Sequence, residues 1–205
     1  GLTWKVCHNK TWDRIFKFLG FRKGWWTRRD TRYIAQAKKE IQHLYRPKQE
    51  ITDKADQMIA QLRQQADLVV GVHIRRGDYA TWNDGRFFYS LEEYHQFMLR
   101  LQQHFSNQRV AFFISSNEDF SPDIFQGCLC RRFGKEPSGA VLDLHTLSIC
   151  DRIIGPFSSY SRWASFIGEV PLCFLETKEQ QFTDESFSKI IDYFHFENGK
   201  ELLDW

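Results

Sequence analysis

The sequence carries almost no excess charge. Lys and Arg number 28 against 26 Asp and Glu, a net charge of +2 over 205 residues. That excludes a polycation held on nucleic acid by bulk attraction, and no nucleic-acid partner is expected. Long apolar runs are missing too: none approaches the ~18 residues that span a bilayer. The opening residues lack the basic start and apolar core of a secretory signal. Cysteine is sparse and odd in number, with Cys7, Cys128, Cys130, Cys150 and Cys173. Without framework spacing this excludes a disulfide scaffold and predicts free thiols in a reducing, cytoplasmic compartment. Cys128 and Cys130 form a CxC that could be half a metal site, but no second CxxC or close His pair completes it. There is no internal repeat and no low-complexity tract.

Aromatics, by contrast, are abundant: 16% of residues, with 19 Phe and 7 Trp, which excludes disorder over most of the chain. The length suits one well-buried domain with an appendage, not two full α/β domains of about 150 residues each. Residues 1–32 are basic and aromatic, with Trp4, Trp12, Trp25 and Trp26 among Lys17, Arg22, Lys23, Arg28, Arg29 and Arg32. Such a segment suits a membrane surface, including peripheral contact with an inner membrane, or an anionic polymer. Its plainer role is to pack its rings on the main domain and leave its charges in water.

Residues 33–66 turn helical. Ile34, Ala37, Ile41, Leu44 and Tyr45 recur at helical spacing, and Pro47 ends that helix. A second helix is predicted over 52–65, with Thr52 as its cap and Ala55, Ile59 and Leu62 on one face. Then the period changes. Residues 67–74 and 110–114 are continuous apolar runs, as in strands covered on both faces. Further strands are predicted over 152–155 and 171–175. Helices are predicted over 91–105, 142–149, 160–167 and 187–194. The alternation predicts an α/β fold: a Rossmann-like parallel sheet over 67–205 with helices on both faces, preceded by a helical N-terminal segment over 1–66.

Ligands of such sheets bind beyond the carboxyl ends of the strands. The first long strand ends in His73-Ile-Arg-Arg-Gly-Asp78. Two guanidinium groups there need anionic partners. Asp78 is one candidate and a diphosphate is another, because the planar fork of Arg matches phosphate oxygens bidentately. A plain surface ion pair is the alternative. The turn Phe157-Ser-Ser-Tyr-Ser161 leads a strand into a helix, where Ser158 or Ser159 can cap the helix, hold a phosphate, or do both. Asp143, near the start of a predicted helix, reads on its own as a helix cap.

The two blocks together, His73 to Asp78 and residues 141–168, resemble the donor-binding motifs of the fucosyltransferases that use GDP-fucose: the α1,2-, α1,6- and protein O-fucosyltransferase group, of GT-B fold. The resemblance covers about residues 67–176, the donor half of such an enzyme. It implies a metal-independent, inverting transfer of fucose from GDP-fucose to a glycan hydroxyl, with no cofactor. It implies that Asp143 reads guanine with His73 near the base, and that Arg75, Arg76, Asp78, Asn117, Ser158 and Ser159 surround the donor. Arg75 and Arg76 would stabilise the leaving diphosphate, in keeping with the absence of any Asp-x-Asp. A general base is wanted as well; Asp84, in the loop after the Arg motif, is the candidate, though Asp-Gly is also a common turn.

Two departures from that pattern stand out. Residues 115–119, Ser-Ser-Asn-Glu-Asp, replace the paired aspartates frequent in relatives, leaving Ser116 and Asn117 to reach the donor. The Gly-rich opening of an acceptor domain is missing, so a fragment or a reduced helical cap is expected. Two rivals follow: a nucleotide-sugar binder without turnover, and a basic-aromatic membrane or nucleic-acid adaptor on an α/β scaffold.

Overall fold

The computed structural model describes residues 34–135 and 139–189. The chain divides into two units, Gly1–Ile34 and Ala35–Trp205, and the described residues belong to the second, apart from Ile34. The basic-aromatic start and Cys7 lie outside the described residues.

Helices α1 (Ile34–Leu44) and α2 (Gln49–Arg63) precede β1 (Leu68–Ile74). Then come α3 (Leu91–His104), β2 (Val110–Ser116), β3 (Leu129–Arg131), α4 (Gly139–Leu147), β4 (Arg152–Gly155), α5 (Ser159–Gly168) and β5 (Leu172–Phe174). The strands form one parallel sheet in the order β3-β2-β1-β4-β5. This is the Rossmann-like sheet, preceded by helices, that the sequence predicts, of the kind seen in GT-B donor domains.

All seven residues of β1 are buried, as its unbroken apolar run requires. Successive side chains alternate between faces. Leu68, Val70, Val72 and Ile74 join a core with Tyr94, Phe97, Met98 and Leu101 of α3. On the other face Gly71 meets Leu147 and Cys150, beside α2 and α4, whose Ile51, Ala55 and Leu142 form a second cluster. Ser90 starts α3 with a capping box: its hydroxyl accepts from Glu93 N–H, and Glu93 accepts from the Ser90 N–H. Helix α1 packs on α5 through Tyr45 and Trp163, and Gln42 donates to the Ile167 carbonyl at 2.7 Å.

Four local expectations are corrected. Helix α2 starts three residues early, after Lys48, and the Thr52 hydroxyl donates to the Gln49 carbonyl from inside the first turn. The earlier start adds Ile51 to the buried face. Helix α4 starts at Gly139, so Asp143 sits in its second turn and is no cap. Cys128-Leu-Cys130 leads into and forms part of an edge strand, β3, that the sequence did not suggest. Residues 187–189 are not helical: Ser188 pairs with Leu172 as an antiparallel bridge, satisfying backbone groups at the sheet edge. Residues 190–194 lie outside the described residues. Cys128, Cys130, Cys150 and Cys173 are free thiols.

Gly168 ends α5 where a Cβ would lie 1.8 Å from the Ser148 carbonyl oxygen. Backbone cannot yield there as a side-chain tip can. Gly168→Ala should therefore destabilise the domain by at least about 1–3 kcal/mol, the overpacking range, as read from urea unfolding.

Candidate functional site

Strands β2 and β3 extend the sheet to one side of β1, and β4 and β5 to the other. The carboxyl ends of β1 and β4 therefore flank the point where the strand order reverses, the usual ligand crevice of open α/β sheets. In register, His73 of β1 lies opposite Ser115 of β2. On the other side, a Cβ on Gly155 of β4 would come within 2.9 Å of the His73 Cβ.

His73 is 5% exposed, and its Nδ1 has no hydrogen-bond partner. Its ring lies 4.9 Å from that of Tyr160. Burial, aided by the Arg75 charge, pushes its pKa down to about 3, so the imidazole is neutral. Asp143 approaches from α4. Burial pushes its carboxyl up to about 6, against the pull of the Ser115 hydroxyl, the Arg132 charge and the Ser116 N–H. Tyr160 donates to the Ala140 carbonyl, tying the start of α5 to α4. Its own pKa is raised, by burial first and by the Asp143 charge second.

The two arginines diverge. Arg75 is held by Asp78 through two contacts of 3.0 Å, Nη2 to Oδ2 and Nε to Oδ1. Arg76 meets Glu118 at 3.4 Å through Nη1 and lies over the Phe88 ring at 5.3 Å. Its buried Nε has no hydrogen-bond partner. The Arg76 backbone is fixed by Asn117, which accepts from its N–H at 3.0 Å. Gly77 follows at φ +61°, beneath the Asn117 amide, a turn that favours glycine. Arg132 secures the loop after β2 by donating to the Phe120 carbonyl at 2.8 Å and the Glu118 carbonyl at 3.0 Å.

Ser158 caps α5, accepting from the Tyr160 N–H at 3.2 Å, and Ser159 is exposed beside it. Tyr79 ties the loop after β1 to this turn by donating to the Phe157 carbonyl at 2.8 Å. Stacked rings of Phe157, Phe87 and Trp82 do the same. Asp84 is exposed in the turn Trp82–Gly85, where Asn83, Asp84 and Gly85 all have positive φ. The structure thus gathers His73, Arg75, Arg76, Asp78, Asn117, Ser158 and Ser159 along one sheet edge, with Asp143 on the helix above it. Asp84 lies farther along the loop, with no hydrogen-bond partner in view. Sequence reasoning passed over Ser115, Glu118, Arg132 and Tyr160. Ser115 and Glu118 sat in a stretch already marked as unusual, but only the fold brings Arg132 and Tyr160 alongside. Among the described residues no group of three or more His, Cys, Asp or Glu is placed to hold a metal ion.

The model of glycosyl transferase family 11 matches residues 13–190. The chain belongs to that family. Among solved structures it is similar to NodZ α-1,6-fucosyltransferase soaked with GDP-fucose, at 16% identity and a TM-score of 0.50; the match covers 80% of this chain and 59% of NodZ. POFUT1 in complex with GDP-fucose gives 15% identity and a TM-score of 0.48, over 63% of this chain and 45% of that one. Arabidopsis thaliana FUT1, an R284K mutant in complex with GDP, gives 11% and 0.44, over 70% and 37%. The chain spans about half the length of these proteins. No curated protein matches it. The likeness to NodZ shows the fold, and family 11 membership makes the chain a distant member of a glycosyl transferase lineage. No described helix is long and apolar enough to cross a membrane.

The raised Asp143 pKa has a measurable consequence. Its proton is lost near 3.8 in the unfolded chain and near 6 in the fold. Between those values the folded state binds the extra proton, so this group costs stability as pH rises. His73 works in the opposite sense: its folded pKa is about 3 against 6.5, so its contribution is lost as pH falls below 6.5. Comparing Asp143→Asn with the parent isolates the first effect. The stability difference in favour of the variant should grow from about pH 4 to about pH 6, by on the order of 3 kcal/mol, then level off. Denaturant midpoints across that range check it.

Proposed function

We propose that this chain binds GDP-fucose across the carboxyl ends of β1 and β4 and transfers fucose, with inversion, to a glycan hydroxyl. The observation that carries the reading is that His73 Nδ1 and Arg76 Nε, at and just past the end of β1, are among the buried side-chain atoms left without a hydrogen-bond partner. Buried polar atoms are seldom left unpaired, and where they are a ligand is a physical explanation. Family 11 membership supplies the reaction class. The fold it shares with NodZ is that of a protein whose structure was soaked with GDP-fucose.

In this reading the ionised Asp143 carboxylate accepts from N1–H and the exocyclic amine of guanine, which adenine cannot offer together. His73 lies beside the base. Arg76, the exposed Ser159 and the first N–H groups of α5 take the diphosphate. Arg75 and Asp78 brace the turn, and Asn117 orients the Arg76 backbone. The acceptor oxygen attacks the anomeric carbon as the bond to the β-phosphate oxygen breaks. The electron pair leaves on GDP, and Asp84 takes the acceptor proton. Charge grows on the leaving phosphate, so the Arg76 guanidinium stabilises the transition state more than the ground state, without a divalent cation. Residues 67–205 form the donor domain, and the acceptor glycan meets it from the loop carrying Asp84.

Thermal shift tests this directly. GDP should raise the melting temperature and ADP should not, with the GDP shift persisting in EDTA. Arg76→Lys keeps charge but loses the fork, and should weaken GDP by about 1.5–3 kcal/mol while leaving guanosine binding unchanged. Arg75→Lys should instead lower the melting temperature of the free protein. Equal shifts from ADP and GDP, or normal GDP binding by Arg76→Lys, would overturn the assignments.

A further inference from the structure

The second arginine past the end of β1 already has an anion beside it. Arg75 shows what a completed pair looks like here: both Nε and Nη2 reach Asp78 at 3.0 Å. Arg76 comes nearest to Glu118 through Nη1, at 3.4 Å. That is beyond the 2.7–2.9 Å usual for charge-assisted hydrogen bonds. Its Nε stays buried and unpaired. Glu118 therefore neutralises the guanidinium without filling its fork.

The surroundings let the carboxylate leave while its backbone stays. Arg132 grips the carbonyls of Glu118 and Phe120, and Asn117 is bonded to the Arg76 backbone. The loop is pinned on both sides of Glu118. Yet the Glu118 side chain is 36% exposed against 23% for Arg76, so it can rotate into water more readily than the arginine can. The guanidinium itself is steadied by the Phe88 ring.

We infer that Glu118 is a resident counter-ion for Arg76 that a bidentate polyphosphate must displace, and that it thereby sets the threshold for which nucleotides bind. The inference rests on the donor reading above. A diphosphate offers two oxygens to the fork and so gains a second bond on exchange. A ligand without phosphate gains nothing from the exchange. The displaced carboxylate also remains close enough to repel the incoming anion.

Calorimetric titration of parent and Glu118→Gln with GDP, inorganic pyrophosphate and guanosine tests it. Glutamine keeps the shape and removes the charge. Glu118→Gln should bind GDP and pyrophosphate about two- to fivefold more tightly, the worth of one partly exposed charge pair, and guanosine no differently. In an Arg76→Gln background, where no cation remains for Glu118 to neutralise, the gain should be smaller, because the two residues act on one another. Were Glu118 simply a support for Arg76, Glu118→Gln would bind GDP more weakly, and that result, or no change, overturns the inference while leaving the donor reading intact. A parent protein that binds neither GDP nor pyrophosphate would overturn both.

Discussion

The whole arrangement depends on how closely β4 runs beside β1. Gly155 has no side chain, and any Cβ there would press on the His73 Cβ at 2.9 Å and its carbonyl at 3.1 Å. That close approach sets β4 level with the end of β1, as the register of β2 sets Ser115 level with His73. Three strand ends then open along one edge. Three sets of polar groups hang from them: the two arginines after β1, Asn117 and Glu118 after β2, and the serine turn after β4. Parallel sheets buried on both faces have nowhere else to place polar groups.

Around that edge the structure sorts polar groups by parity. His73 and Ser115 share the face on which α4 and α5 bring Asp143 and Tyr160. Ile74 points into the α3 core, and Arg76, two residues on, lies over Phe88. Arg75 is held by Asp78 through two nitrogens, while the buried Arg76 Nε has no hydrogen-bond partner. Adjacent arginines of identical chemistry thus have different partners, Asp78 for one and Glu118 with the Phe88 ring for the other. Burial explains the opposed pKa shifts of His73 and Asp143, because it disfavours the charged form of each.

Much of this was legible in the sequence where a long-range constraint was not needed. Strands β1 and β4 follow from apolar runs, and β1 shows no alternation because both its faces are covered. The Arg-Arg-Gly-Asp turn was readable as an ion pair because Arg75 and Asp78 are three residues apart. Strand β3 was not, since three residues on a sheet edge carry too little pattern and a CxC draws attention to its thiols. The start of α2 was misplaced because Thr52 is a good cap by type, whereas burial of Ile51 against the Leu142 cluster draws the helix further back. Asp143 was identified for its chemistry but not its setting; its raised pKa comes from burial between elements far apart in sequence. Glu118 and Arg132 act on Arg76 and on the loop after β2 only through the fold.

The central claim is that one nucleotide diphosphate occupies the carboxyl edge of β1, β2 and β4. Amide hydrogen exchange with and without GDP locates it most directly. With GDP bound, exchange should slow in three separate stretches at once, 75–79, 115–119 and 157–161, with the face of α1 unchanged. Protection confined to one of these stretches, or appearing on α1 and not at the sheet edge, would contradict it.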